Sequence, residues 1–411
     1  MSLIVQKYGG TSLKNLSIIK KVAKKIKLLH SSEIKIVVIV SAMGKTTDTL
    51  IKKAHQLSEN PNPREMDILL STGELVSSTL LSIALNTLKI PAISLSGSQA
   101  GIRTDINHGK ARINSINPTR IFNELKKNKV VIIAGFQGTS LLDETTTLGR
   151  GGSDTTAVAI AASLNTDKCE IHTDVDGIFT ADPRLVPNAQ LLHHIAYEEM
   201  LEFASYGAKM DPRAIELAMT YDIPIVVKSS TSNSLGSLIS KDADMKKTIG
   251  EIKNKVRGIA TDSNVSKITI RKLANQPGIS ASLFGLLANK NVSVEDIVQN
   301  ASIGGFTDLS FTLKRPELQQ ALTILKKSQF NSNISTIETS NNLAKISIIG
   351  TGMQNTPGYA AKMFKTLGDA NINIEMIITS EIRITCIIDE SDLKSAAQLL
   401  HTEFSLDKHN S

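Results

Sequence analysis

Over the first 240 or so positions, short runs of aliphatic and β-branched residues alternate with amphipathic stretches. The apolar runs 3–7, 35–40, 92–95, 130–134, 169–173 and 225–227 predict strands, and the periodic stretches 15–29, 73–88, 119–126, 153–164 and 197–206 predict helices. Strands that are apolar on both faces, separated by helices, predict a buried and mostly parallel sheet covered on each side. Ligands of such sheets bind beyond the carboxyl ends of the strands.

Between 229 and 256 the composition turns to Ser, Asn, Gly and Lys, as in a linker. Beyond it the pattern repeats: 275–297 (NQPGISASLFGLLANKNVSVEDI) matches 355–377 (NTPGYAAKMFKTLGDANINIEMI) without a gap, about 80 positions apart. Each copy reads as a strand, a Pro-Gly turn opening a helix, and a second strand, so the region holds two copies of one small α+β module. The second copy has no strand after its helix at 393–404, while a spare strand, 256–261, precedes the first. That strand is expected to complete the sheet of the second module.

A chain of 411 residues with 41% hydrophobic residues predicts two or three globular domains. No tryptophan and 4% aromatics argue against stacking platforms for single-stranded nucleic acid. The net charge of +7 comes in part from runs such as 20–27 (KKVAKKIK), whose lysines alternate with apolar residues like a solvated helix face. Cys169 and Cys386 form no metal or redox spacing, which points to a reducing compartment. The N-terminal MSLIVQKYGG has no signal-peptide core, and no stretch is expected to reach membrane-spanning length, so a cytoplasmic protein without membrane or nucleic-acid partners is expected.

The polar, glycine-bearing segments fall where the predicted strands end: KYGGTS after the first, SAMGKTT after the second, GFQG after the fourth and DVDG after the fifth. Two are especially informative. In 148–157 (LGRGGSDTTA), Gly149, Gly151 and Gly152 allow close backbone approach and amides aimed at an anion, and Asp154-Thr155-Thr156 opens a helix. In 172–184 (HTDVDGIFTADPR), carboxylates and an arginine surround another glycine. Gly44-Lys45-Thr46 is no Walker motif, since Ile39 stands where its first glycine should be, and the dinucleotide fingerprint fails at Asp154. Singly these residues have bland readings: Lys7 as a strand end, Glu74 as an acid in a helix's first turn, Asp174 and Asp182 as turn formers.

Together, KYGGTS, SAMGKTTD, STGE, SGSQAG, AGFQG, TTLGRGGSDTTA, TDVDGIFTADPR, the KSS at 228–230 and the paired modules resemble the aspartokinase family in order and spacing over nearly the whole chain. The resemblance implies an α/β fold: an αβα sandwich amino-acid-kinase domain with a mainly parallel sheet, expected at 1–245, followed by ACT modules (βαββαβ) at 246–341 and 342–411. It implies ATP-dependent phosphorylation of the side-chain carboxylate of L-aspartate with Mg2+, the first step toward lysine, threonine and methionine.

By resemblance, Lys7 and Asp154 are the catalytic candidates. Lys7, Tyr8, Gly9, Gly10, Ser41, Thr173, Asp174, Phe179, Asp182, Arg184 and Lys209 are expected to hold ATP, and Thr47, Glu74, Arg150, Gly151, Gly152 and Ser153 to hold aspartate, with no protein-held metal. Gln276, Gly278, Ile279, Val292 and Gln299, with Asn373 and Ile374, are expected to meet the effectors lysine, threonine or both. A dimer through the ACT modules, or association with a separate regulatory chain starting near Met245, is also implied. The chain departs from the family pattern at Phe179, where tyrosine is frequent, at Lys45, and in 207–213, which is one residue short in what reads as a helical segment. Kinases of the same superfamily acting on other substrates, and a silent amino-acid sensor, are the alternatives.

Overall fold

The computed structural model describes residues 2–30, 34–208, 210–232, 234–241, 256–301, 303–328, 335–351, 353 and 356–408. The chain divides into two compact units, Met1–Ile178 with Leu191–Glu251, and Phe179–Gln190 with Ile252–Ser411.

The first unit is built on an eight-stranded sheet in the order His194–Ala196, Ser237–Ser240, Ile225–Ser229, Cys169–Thr173, Leu3–Tyr8, Lys35–Val40, Val130–Ala134, Ala92–Leu95. Every pair is parallel except Ile225–Ser229 with Ser237–Ser240. Buried apolar residues on both faces make the central strands core elements, with Val37 to Val40 at 0% exposure. On one face lie helices Leu16–His30 and Pro63–Thr87, whose Ile19, Val22, Ile26, Leu81 and Leu85 share a core with Tyr8, Ile36 and Val38. The lysines at 20, 21, 24 and 27 face solvent, as the spacing predicts. On the other face helix Gly152–Ser163 is buried on nearly every side.

Helix Pro63–Thr87 begins ten positions before the expected start at 73. Its start was signalled by Asn62-Pro63: the Asn62 side chain accepts from Arg64 N at 2.9 Å, and Pro63 stands where a missing N–H costs nothing. At 25 residues this helix is long and apolar enough, by length and composition, to cross a membrane, which corrects the expectation that no stretch is. Its Leu81 and Leu85, at 0% exposure, pack into the sheet core. A small sheet, Ile113–Ile116, Ile102–Thr104, Gln137–Thr139 and Thr145–Thr147, was not expected, because its strands of three or four residues carry no readable period.

The second unit carries one six-stranded antiparallel sheet, ordered Ile297–Gln299, Phe306–Lys314, Gly258–Ala274, Thr336–Ile349, Arg383–Asp389, Met376–Thr379. The long strand Gly258–Ala274 serves both modules: Gly258 to Asp262 pair with Ile349 to Lys345, and Val265 to Ala274 pair with Lys314 to Phe306. Each module has its own core, one around Leu283, Leu287, Leu309 and Phe311, the other around Ile346, Met363, Leu367 and Leu400. The burial pattern of 291–300 repeats identically at 371–380. The modules also exchange ion pairs, Lys345 Nζ to Glu295 Oε2 at 2.5 Å and Lys267 Nζ to Glu375 Oε2 at 2.7 Å. The segment Phe179–Gln190 belongs to this unit: Ala181 and Val186 enter the second core, Thr180 O accepts from Ile259 N at 2.6 Å, and Gln398 donates to Leu185 O at 2.8 Å.

Candidate active site

The polar loops meet at the carboxyl ends of the parallel strands, and the backbone ladder continues into them: Gly9 N donates to His172 O, Ser41 N to Tyr8 O, Gly135 N to Val40 O and Ser230 N to Thr173 O. Side chains alternate along Leu3–Tyr8, so Lys7 faces helix Gly152–Ser163 while Gln6 and Tyr8 face the opposite layer. Lys7 Nζ lies 2.5 Å from Asp154 Oδ1, with side chains 11% and 9% exposed. Asp154 sits in the first turn of its helix, where the dipole favours a negative charge. Lys7 borders a cavity of about 1090 Å³ whose wall also includes Ser41, Thr47, Glu74, Arg150 and Ser153.

Glu74 comes from the middle of helix Pro63–Thr87, not from a first turn. Its Oε1 accepts from Ala42 N at 3.0 Å, and Gly73 beside it has no room for a side chain, because a Cβ would lie 2.8 Å from Ala42 Cβ. Glu74 Oε2 is buried with no hydrogen-bond partner among the described residues. Burial raises its carboxyl to about 7, against the pull of the Ala42 amide. A buried acceptor at a cavity wall is suited to a substrate ammonium group.

The turn before helix Gly152–Ser163 is held from the next helix, Pro212–Tyr221. Gly151 has φ +77° and lies so close to Asp211 that a Cβ would sit 2.6 Å from its side chain. Asp211 caps Pro212–Tyr221 by accepting from Arg213 N at 3.0 Å and also accepts from Thr155 Oγ1 at 3.0 Å, while the Arg213 guanidinium donates to Leu148 O. Gly152 N bonds back to the Gly149 carbonyl, so this amide is not turned toward a ligand as expected, and Asp154 N bonds to the Gly151 carbonyl.

Other expected side chains have different surroundings. Tyr8 is 1% exposed and stacks on His172 at 4.5 Å in the opposite layer, so only its backbone borders the loop. Arg150 is 95% exposed and lies 3.9 Å from Asp48, gripping nothing. Thr173 Oγ1 donates to Asp174 at 3.1 Å beside the strand end. Phe179, Asp182 and Arg184 belong to the second unit, where Asp182 and Arg184 pair with each other at 2.5 Å. Lys209 lies outside the described residues, and its flanks at 206–208 and 210–211 are not helical, so the shortened run turns no helix face. Lys45 is exposed.

A buried network missed by sequence reasoning lies under the strand ends, in the layer of Tyr8. Glu170 accepts from Gln6 Nε2 at 2.9 Å and pairs with Lys228 at 2.9 Å, with His172 Nε2 at 3.4 Å. Burial raises the Glu170 carboxyl, but the hydrogen bonds of His172 and Lys228 and the lysine charge outweigh it and hold it well below the ordinary range. Burial lowers His172. Asp67 and Thr147 at the cavity, with His108 bonded to Asp67, were missed as well, although Asp67 stands one helical repeat of seven before Glu74.

In the second unit Gly278 opens helix Ile279–Ala288 with φ +85°. Gln299 is exposed on its short strand and accepts from Ser280 Oγ at 3.4 Å, Gln276 is exposed, and Asn373 bonds Glu375 at 3.2 Å. Ile279 and Val292, at 9% and 4% exposure, are packed into the first module's core, and Ile374 packs against the second, so these three side chains are engaged by protein rather than open to an effector.

A parallel sheet with a lysine–aspartate pair beyond its strand ends, joined to two ACT-like modules, defines an amino-acid kinase with a regulatory region. The amino acid kinase family model matches residues 2–229, and the ACT domain model matches 271–329 and 346–404. Aspartokinase 2 of Bacillus subtilis is 44% identical over 412 residues, covering all of both chains. The structure of E. coli aspartokinase III in complex with aspartate and ADP (R-state) is 26% identical with a TM-score of 0.81, over 98% of this chain and 99% of that one. The same enzyme in complex with lysine and aspartate (T-state) is 25% identical with a TM-score of 0.71, over 98% and 99%. This chain belongs to the aspartokinase family and is a kinase.

Proposed function

We propose that this chain transfers the γ-phosphoryl group of ATP to the side-chain carboxylate of L-aspartate, giving ADP and 4-phospho-L-aspartate, under feedback by lysine, threonine or both. The observation that carries the reading is Lys7, paired with Asp154, sharing one cavity wall with Glu74 and Arg150. An aspartate carboxylate is already ionised near neutral pH and needs no general base, so catalysis is alignment and charge neutralisation. Lys7 supplies a fixed cation for the transferring oxygens, and Asp154 holds that ammonium at the strand end until phosphates compete for it. Glu74 accepts from the substrate ammonium, and Arg150 folds in from solvent to bind the α-carboxylate through two parallel hydrogen bonds. Gly9, Gly10 and Ser41 line the phosphate side, with Thr173, Asp174, Phe179, Asp182, Arg184 and Lys209 on the nucleotide.

No group of three or more His, Cys, Asp or Glu side chains among the described residues could hold a metal. Mg2+ is expected to be carried in by the nucleotide, whose phosphates and waters supply most of its ligands. Magnesium so bound would neutralise charge on the phosphates.

Feedback is assigned to the paired modules, with Gln276, Gly278 and Gln299 and the matching Asn373 at the effector sites. The short edge strands Ile297–Gln299 and Met376–Thr379 expose Ile297 and Ile377 at 50% and 45%, which supports a dimer formed by covering these edges with a second chain. Met245, the possible start of a separate regulatory chain, lies outside the described residues. A cytoplasmic setting agrees with the unpaired, buried Cys169 and Cys386.

The test is ADP formation by the purified chain with ATP and aspartate, glutamate or a nucleoside monophosphate, with magnesium or a chelator, and with lysine and threonine alone and together. Aspartate-dependent, magnesium-dependent turnover lowered by at least one effector is expected. Turnover on another acceptor but not on aspartate would overturn the substrate assignment.

A further inference from the structure

Asp67 is fully buried, and three groups donate to its carboxylate. His108 Nδ1 lies 2.7 Å from Oδ2, Gly109 N lies 3.0 and 3.1 Å from the two oxygens, and Thr147 Oγ1 lies 2.5 Å from Oδ1. A carboxylate withdrawn from water persists only when its lone pairs are met, so this contact is a fixed joint rather than a chance approach.

The joint connects two parts of the cavity wall. Asp67 and Glu74 are seven residues apart on helix Pro63–Thr87 and share a face. Thr147 immediately precedes the turn that carries Gly149 and Arg150, and Thr147 O accepts from Ala111 N at 2.9 Å. Gly109 O lies against Gly149, where a Cβ would sit only 3.2 Å from it. Asp67 therefore ties the helix that presents Glu74 to the turn that presents Arg150, and Asp67, Gly109 and Thr147 all border the same cavity.

We infer that Asp67, acting with Thr147 and His108, is a positioning residue for amino-acid recognition: it fixes the span between Glu74 and Arg150 against which the acceptor amino acid is measured. This rests on the proposed roles of those two residues in holding aspartate. Asparagine at 67 keeps the shape but turns one acceptor into a donor facing donors, so at least one of the bonds is lost in either orientation.

The full chain is compared with Asp67→Asn, Thr147→Val, Arg150→Ala and the double variant Asp67→Asn/Arg150→Ala, varying aspartate and ATP separately. For Asp67→Asn the aspartate KM is expected to rise roughly tenfold or more, and the ATP KM to stay within about twofold, because a displacement of about 1 Å at a binding group is costly only for the ligand it holds. The aspartate-to-glutamate ratio of kcat/KM should fall. In the Arg150→Ala background the same change should add little, since both act through one turn. An unchanged aspartate KM, an equal rise in both KM values, or full additivity with Arg150→Ala would each overturn the inference. If Asp67→Asn does not fold, Thr147→Val, which removes one donor and no charge, makes the same comparison. Absence of any wild-type turnover on aspartate would instead sink the substrate reading, so the two failures are distinct.

Discussion

Burial acts on Glu74 and Glu170 alike, and their partners decide the outcome. Glu170 has Lys228 and His172 and stays ionised, whereas Glu74 has only backbone amides and one oxygen without a partner among the described residues, and its carboxyl rises to about 7. A carboxyl raised in the folded state contributes stability that is complete below its ordinary unfolded value and is lost as pH rises through about 7. At pH 8 the protein therefore holds a buried, half-satisfied charge. Glu74→Gln keeps the acceptor for Ala42 N and removes that charge, so it should stabilise the first unit at pH 8 by up to about 3 kcal/mol, a gain that fades below about pH 5. Thermal unfolding of both proteins across pH 5 to 8 checks this, and a pH-independent difference would contradict it. The same substitution should abolish tight aspartate binding, since a neutral amide is no counter-ion for an ammonium group; in the wild type the aspartate KM should fall as pH rises through about 7.

At the scale of elements, the sequence was most legible where burial is two-sided. Strands Lys35–Val40, Val130–Ala134 and Cys169–Thr173 have the bounds their apolar runs predict, because an interior parallel strand leaves no alternative for those residues. The first half of Pro63–Thr87 was lost because exposed and polar positions there dilute the helical period, although Asn62-Pro63 marked the start. Lys7, Glu74 and Asp154 were readable as motif members, yet the Asp67 cluster and the Glu170 network were not: each joins residues far apart in the chain, up to 164 positions for Gln6 and Glu170, which no local pattern reports. Tyr8 misled for the opposite reason, since a motif neighbour of Lys7 must point the other way on a strand.

The turn at Gly151 shows how an element depends on one such long-range contact. An alanine there would meet Asp211 at 2.6 Å besides carrying φ +77°. Asp211 is the cap of helix Pro212–Tyr221, so Gly151→Ala should cost about 2 to 4 kcal/mol, combining left-handed strain with loss of the cap. Gly278→Ala, at φ +85° with nothing within 4 Å, should cost only about 1 to 2 kcal/mol. Denaturant unfolding of each unit measures both, and equal losses would count against the Asp211 contact.

The whole molecule is not a linear pair of domains. Chain order passes from the first unit into the second at Phe179, returns at Leu191, and leaves again near Ile252. The excursion carries Asp182 and Arg184, nine and eleven residues past the end of strand Cys169–Thr173, and it is anchored by Ala181 and Val186 in the core that contains Met363, Leu400 and Phe404. The module that carries Asn373 and Glu375, just before strand Met376–Thr379, thus also holds the chain that continues from the strand end. A two-state change in that core, biased by an effector, would be transmitted along a covalent path to the proposed nucleotide residues, within the usual coupling of about 1 to 3 kcal/mol. A chain ending near residue 251 keeps the whole eight-stranded sheet but leaves Ala181, Val186 and the Thr180 carbonyl without Ile259, Leu400 and Phe404. Amides of 179–190 should then exchange with solvent as an unfolded segment does, while those of Lys35–Val40 remain protected. The ATP KM of the truncated protein should rise more than its aspartate KM. Retained protection across 179–190, or unchanged ATP binding, would show that the first unit holds this segment by itself and that the regulatory core is not its anchor.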